Sequence, residues 1–289
     1  MRGLLKVALG RLGVQLKRAS ADHIVRQIDE AREVVRLSPD DPLTCQHTLE
    51  RLALVSKLGH LIRVHRPDLV VDVGANRGQF VDQLRAIGYT GPVVSLEPQA
   101  ALAAALHARA SVETSNWIII RGAAGESESR MTLHTFTDDT FTSLHQPNQT
   151  AHTHFGPLLS QVAAEEVEVR RLDSWLAEIE LPAASRIFLK VDTQGHDLAV
   201  LKGATQTLAR TVVVMAEGAF IPLYDTGSSA FSLADALVPH GFKNAGIYAS
   251  AHDRGDFSAI EADCLFTRPA KELAALRDHE QPACALSVK

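Results

Sequence analysis

Residues 69–97 constrain this chain more tightly than any other stretch. Leu69, Val70, Val71 and Val73 form a short apolar, β-branched run, the pattern of a strand buried on both faces. Gly74 and Gly78 punctuate a turn, after which Phe80, Val81 and Leu84 recur at helical spacing. Strand, glycine turn and helix in that order bring bare backbone close to a ligand and aim the positive end of a helix at it. A second buried strand, residues 93–96, ends in Glu97, where the carboxylate of a nucleotide-binding βαβ unit grips a ribose diol.

The turn distinguishes between cofactors. A pyrophosphate-binding turn reads G-x-G-x-x-G, whereas this one, Gly74-Ala75-Asn76-Arg77-Gly78, reads G-x-x-x-G. Asp72, just before it, suits a cationic ligand better than a pyrophosphate. S-adenosylmethionine carries a sulfonium and an amino group, so the motif favours it over NAD. A purely structural βαβ turn is the bland alternative.

Composition adds boundaries. The chain has 289 residues, 46% hydrophobic and 22% charged, ample for a buried core. A formal charge of −5 gives no global reason to expect a nucleic-acid partner. Cys45, Cys264 and Cys284 are far apart and lack metal spacing, which reads as reduced thiols in a cytoplasmic protein. No apolar run reaches the roughly 18–20 residues that a membrane-spanning helix needs.

Upstream of the glycine turn, residues 1–65 read as a helical extension capping one edge of the sheet, followed by one domain over 66–289. Within residues 1–20, leucines and valines alternate with Arg2, Lys6, Arg11, Lys17 and Arg18. Such a basic amphipathic helix suits either peripheral contact with an anionic membrane or packing on its own domain or a second copy of the chain. Ile24, Val25, Ile28, Val34 and Val35 suggest another helix over 22–37, and a third is expected over 44–65.

Downstream, Trp117 to Ile120 reads as a third buried strand, and Ala123 in the small-residue turn after it leaves room for an adenine ring. Residues 137–165 are polar and break-rich, as expected of an inserted lid or binding loop. Its His145, His152 and His154 read as solvent-facing rather than as metal ligands. Ile187 to Val191 is a fourth strand ending in Asp192, with His196 one turn beyond, and residues 211–216 are a fifth ending in Glu217. Strand tips at the point where strand order reverses are where open α/β sheets bind ligands, so Asp192 is expected beside Gly74. A hairpin over 243–267 and a terminal helix over 269–278 complete the reading.

V-D-V-G-A-N-R-G (71–78), S-L-E-P (95–98), R-L-D-S-W (171–175), F-L-K-V-D-T-Q-G-H-D-L-A-V-L-K-G-A (188–204), A-E-G…P-L-Y (216–224) and H-G-F (240–242) together resemble the FkbM family of S-adenosylmethionine-dependent methyltransferases. The likeness runs from about residue 67 to 268, and the block after the fourth strand is its most specific part. It implies a class I methyltransferase α/β fold: a Rossmann-like seven-stranded sheet, last strand antiparallel, with helices on both faces. It also implies methyl transfer to a hydroxyl of a sugar, glycolipid or polyketide. This chain departs from the family where Arg121-Gly122-Ala123-Ala124 follows the third strand without the frequent asparagine.

Methyl transfer from a sulfonium is an in-line displacement that relies on alignment and on a base for the hydroxyl proton. The expected roles are His196 as base, oriented by Asp192, with Glu97 on the ribose and Asp72 at the methionine end. Gly74, Asn76 and Gly78 shape the turn. A rival role for Asp192 is to bind the methionine amino group, or to hold Mg²⁺ together with Glu217. An NAD-dependent oxidoreductase and a catalytically silent binding protein of the same fold are the alternative functions.

Overall fold

A computed structural model describes residues 42–113, 116–181 and 185–268, together with the backbone of three short strands nearer the N-terminus. Those strands, β1 (Val14–Gln15), β2 (His23–Ile28) and β3 (Ala31–Arg36), form an antiparallel sheet where helices were expected. The misreading has a physical reason. The same β-branched residues that mimic a helical stripe pair directly across strands, Ile24 with Val35 and Val25 with Val34. The rest of the expected 1–20 helix, the 269–278 helix and Cys284 lie outside the described residues.

The body of the chain is the expected seven-stranded sheet. Its strands are β4 (Leu69–Val73), β5 (Val93–Leu96), β6 (Trp117–Ile120), β10 (Ile187–Val191), β11 (Thr211–Ala219), β12 (Lys243–His252) and β13 (Ala259–Thr267). They lie in the order β12-β13-β11-β10-β4-β5-β6, and β13 runs antiparallel to both of its neighbours. Strand order reverses between β4 and β10, so their C-terminal ends open a crevice there.

Every residue of β4, β5 and β10 is buried, as continuous apolar runs require. Alternation sends Leu69, Val71, Val73, Leu189 and Val191 to one face. That face is covered by α5 (Leu172–Leu176), α6 (Asp197–Lys202) and α8 (Ala230–Leu237). Val70, Phe188, Met215 and Leu265 point to the other face. There they meet α1 (Pro42–His65), α2 (Gln79–Ala86) and α3 (Ala100–Ala110), with Phe80 edge-on to Phe188 at 5.9 Å. Helix α1 crosses this face beside β12. Among the described residues no helix is long and apolar enough to cross a membrane.

A second, three-stranded sheet, β7 (Ala123–Gly125), β9 (Gln161–Arg171) and β8 (Ser129–Phe136), forms beside the first. The segment expected as an irregular loop over 137–165 is therefore largely ordered: α4 (Gln149–Phe155) lies within it, and β9 begins at Gln161. Asn148 caps α4 by accepting from the Ala151 N–H at 3.0 Å, a signal hidden among the polar residues.

Gly74 is the tightest point of the backbone. Its φ is +81°, and an added Cβ would stand 1.8 Å from the Asp192 carbonyl oxygen. Gly74→Ala is expected to destabilise the protein by about 3 kcal/mol or more, because strain and clash fall on one atom that cannot move without separating β4 from β10. Urea unfolding monitored by circular dichroism tests this; a loss under about 1 kcal/mol would show that the strand tips are not locked together.

Candidate active site

The register of the sheet builds the site row by row. Asp72 lies opposite Lys190, Lys190 opposite Met215, and Met215 opposite Leu265. Two residues further toward the tips, on the same face, come Gly74, Asp192, Glu217 and Asp263, with Glu217 directly opposite Asp263. Glu261 follows Asp263 by two and lies opposite Ala219. The apolar core thus gives way to a row of carboxylates at the mouth of the crevice.

Above this row lies a cavity of about 1540 Å³. Gly74, Glu97 and Ala123 line one end, Asp192 and Glu217 the middle, and His47 and Arg51 of α1 the far end. Asp139, Phe141 and Leu158, from the ordered insertion, form the roof. Asn76 donates through its side-chain amide to the Asp139 carbonyl at 3.1 Å, and Arg77 pairs with the Asp139 carboxylate. The roof is fastened directly to the glycine turn.

Glu97 stands where the sequence puts it. One carboxylate oxygen accepts the Asn76 N–H at 2.7 Å and the other accepts the Gln99 N–H at 2.8 Å. Burial nevertheless raises its pKa to about 7 against the pull of those hydrogen bonds. Asn76, at φ +47°, also lines the cavity, whereas Gly78 faces Leu106, Arg109 and Trp117 at the start of α2 and shapes the turn from behind.

Asp72 departs from expectation. It is fully buried and lies outside the cavity lining, with one oxygen 3.1 Å from Lys190 Nζ and the other accepting from Ser95 Oγ at 3.3 Å. Its charge is met inside the protein by Lys190. Lys190 also donates to the Gly74 carbonyl at 2.8 Å and stands 3.4 Å from Asp192. Burial works against its charge, yet the adjacent Asp72 and Asp192 raise its pKa above the usual lysine value. Sequence reading passed over Lys190, although a lone charge inside an apolar strand is itself a signal.

His196, expected as the base, lies apart from the cavity lining. Its ring lies against Gly125 and pairs Nδ1 to His145 Nε2 at 3.0 Å. Burial, then the nearby His145, lowers its pKa to about 4. His145 in turn meets Thr226 Oγ1 at 3.2 Å, so the two histidines fasten the insertion to the start of α6. His154 instead faces Asp253 at 3.2 Å, and the three loop histidines do not converge. Asp192, by contrast, lines the cavity with its side chain 37% exposed.

Asp192 and Glu217 do project side by side, joined by the Gln194 side-chain amide, which donates to both at 3.3 and 2.7 Å. Among the described residues, no group of three or more His, Cys, Asp or Glu has the geometry to hold a metal ion. Asp263 and Glu261, on a strand about 20 residues beyond H-G-F (240–242), were not anticipated. Burial first, then Asp192, raises Asp263 to about 7, and burial with the charges of Asp192 and Asp197 raises Glu261 to about 8. Cys45 and Cys264 are free thiols.

Two outcomes follow from this electrostatics. Lys190→Met leaves Asp72 buried without a countercharge and is expected to cost about 3–5 kcal/mol, whereas Asp72→Asn combined with Lys190→Met recovers a large part of it. Chemical denaturation of the single and double variants measures this, and an additive double variant would refute the coupling. Glu97, Asp263 and Glu261 have folded pKa values above their ordinary ones, so their contribution is complete below those ordinary values and is lost as pH rises through about 7 to 8. His196 acts in the opposite sense, but only below its ordinary 6.5. The thermal midpoint of the ligand-free protein is therefore expected to fall between about pH 6.5 and 8.5; a flat or rising midpoint would contradict the buried carboxyls.

A family model described as the methyltransferase FkbM domain matches residues 72–243. A search of curated proteins matched none. Among solved structures, the chain is similar to methyltransferase FkbM from Methylobacillus flagellatus KT, at 18% identity and a TM-score of 0.43 over 70% of this chain. That match spans 43% of the Methylobacillus chain, less than half its length. Magnesium protoporphyrin IX methyltransferase from Synechocystis PCC 6803, solved with bound SAM, is similar at 9% identity and a TM-score of 0.42, over 78% of this chain and 82% of that one. TehB from Haemophilus influenzae gives 12% identity and a TM-score of 0.38, over 74% and 62%. The family model covers more than half of the residues, and its span contains the glycine turn, Glu97, Lys190, Asp192 and Glu217: the chain belongs to the FkbM methyltransferase family.

Proposed function

We propose that this protein moves a methyl group from S-adenosylmethionine to a hydroxyl oxygen of a sugar, glycolipid or polyketide-type acceptor. One observation carries the reading: a single cavity runs from the glycine turn and Glu97, past Asp192, to a compartment roofed by the insertion and closed by α1. Two ligands end to end need that length.

The residues present fit the cofactor. Glu97 spends one lone pair of each oxygen on the turn and keeps the others for a ribose diol. Ala123 and Ala124 present small side chains to the cavity where a flat ring needs room. When bound there, S-adenosylmethionine supplies an electrophilic methyl whose C–S bond breaks as the acceptor oxygen forms its C–O bond.

Asp192 takes the hydroxyl proton. It is the most open carboxylate of the row for which hydrogen bonds fix direction, held by Gln194 on one oxygen and by Lys190 near the other. Lys190 holds the second oxygen of Asp192 from the protein side at 3.4 Å. His196 acts through its contacts as a positioning residue, keeping the insertion and the Asp192 loop in register.

Calorimetric titration with S-adenosylhomocysteine, with NADH as control, tests the cofactor half. S-adenosylhomocysteine alone is expected to bind, and Glu97→Ala to weaken it about 10- to 100-fold, the worth of losing charge-assisted hydrogen bonds. An unchanged dissociation constant in the variant, or binding of NADH instead, would overturn the assignment.

A further inference from the structure

We propose that the acceptor bears an ammonium group close to the hydroxyl that is methylated, and that Glu217, Asp263 and Glu261 bind this cation. The proposal rests on the methyl-transfer reading above and names the acceptor class for the same cavity.

The first observation is placement. Glu217 on β11 and Glu261 and Asp263 on β13 lie on one sheet face and line the cavity beyond Asp192, on the side away from Glu97 and the glycine turn. If Glu97 marks the ribose, these three stand on the acceptor side.

The second is an unmet demand. The Glu261 side chain belongs to a residue only 7% exposed, lines the cavity, and has no hydrogen-bond partner among the described residues. A buried carboxylate without a donor is costly, and the protein has not removed it. The Thr193 and Thr142 hydroxyls, also in the lining, are buried and unpartnered as well. Glu217 accepts from Gln194 at 2.7 Å and from Ser250 at 3.2 Å, whereas Glu261 accepts from no described residue.

Arg51 and Arg254 also line the cavity but form no ion pair with these three acids. Lys190 stands beside the row, but its Nζ is committed to Asp72, the Gly74 carbonyl and Asp192. A bare metal ion is a poor match, since no three of these acids can converge on one point. An ammonium holds its acceptors at about 2.7–2.9 Å, further out than the roughly 2.0–2.6 Å of a divalent ion, and is satisfied by three or fewer of them. Burial and mutual repulsion raise Glu217 and Glu261 in the empty cavity, and a bound cation would reverse both.

An amino sugar has the required pairing of ammonium and neighbouring hydroxyl. The experiment titrates the S-adenosylhomocysteine-saturated protein with glucosamine hydrochloride and, at matched ionic strength, with glucose. Glucosamine is expected to bind at least tenfold tighter, and Glu261→Gln to abolish the difference while S-adenosylhomocysteine still binds. Equal affinity for both sugars, binding of neither by the saturated protein, or a preference that survives in Glu261→Gln would each overturn the proposal. Asp263→Asn is titrated in parallel, so that one misfolded variant does not decide the result. Should S-adenosylhomocysteine itself fail to bind, the cofactor reading falls, and the same sugar pair on the ligand-free protein still decides whether the carboxylates select an ammonium.

Discussion

The Asp72–Lys190 pair is the contact on which the crevice depends. β4 and β10 are the two strands at which sheet order reverses, and a topological switch point has no covalent link to hold its two sides together. Lys190 spans the gap, meeting a carboxylate and a carbonyl on the β4 side and Asp192 on its own. Its position is dictated by register: two apolar strands, each with one charge, can bury those charges only if they pair, and a one-residue slip would leave both unmatched. A pair of this kind adds little net stability over a hydrophobic substitute. What it supplies is a fixed alignment of the two tips, and it presents one face of Asp192 to the cavity with the other already neutralised.

From that alignment the electrostatics of the mouth follow. Side chains two apart on a strand share a face, so the row after Met215 and Leu265 must also face α1, and on three strands that row is acidic. Each carboxyl is desolvated by the same roof and charged against its neighbours, which is why Glu97, Asp263 and Glu261 all titrate far above the ordinary carboxylate range. The cause differs along the cavity. Glu97 is held by two backbone donors and buried by the turn, while Glu261 has burial and repulsion with no donor at all. Glu97 and Glu217 are met by protein donors on both oxygens; Glu261 is not.

Much of this was legible before any coordinates. Short-range chemistry carried the first half: a β-branched run, glycines at a turn and an acid at the next strand tip are local signals, and each is where the pattern puts it. The N-terminal segment was misread because β-branched residues at helical spacing also satisfy a hairpin, and periodicity alone does not choose. Asp72 was assigned to the ligand because sequence shows a charge but not its partner, which lies more than a hundred residues away. His196 lies apart from the cavity lining for a geometric reason: one turn past a strand tip is near in sequence, but the chain at Gln194 and Gly195 runs through left-handed φ angles and turns the ring toward His145. Asp263 and Glu261 were invisible because a hairpin strand with alternating acids reads as a solvated edge, and only its insertion beside β11 buries it.

The division of labour between fold and additions is then physical rather than descriptive. The sheet tips can offer only what alternation allows, a flat row of groups open to water. To make carboxylates discriminate, water has to be excluded, since a charge pair that is weak in bulk solvent strengthens as the surrounding dielectric falls. Helix α1 and the 137–165 insertion accomplish this by closing the open side of the crevice, and they are tied down at both ends. Gln46 and Glu50 of α1 meet His252 at 3.0 and 3.4 Å, and the insertion is fastened through Asn76 to the glycine turn and through Ser143 to the Gln194 carbonyl at 2.6 Å. The two Gln194 contacts matter most, because the same residue that anchors the roof by its carbonyl orients Asp192 and Glu217 by its amide. The contact that ties down the insertion and the contacts that orient the two carboxylates therefore meet at one residue.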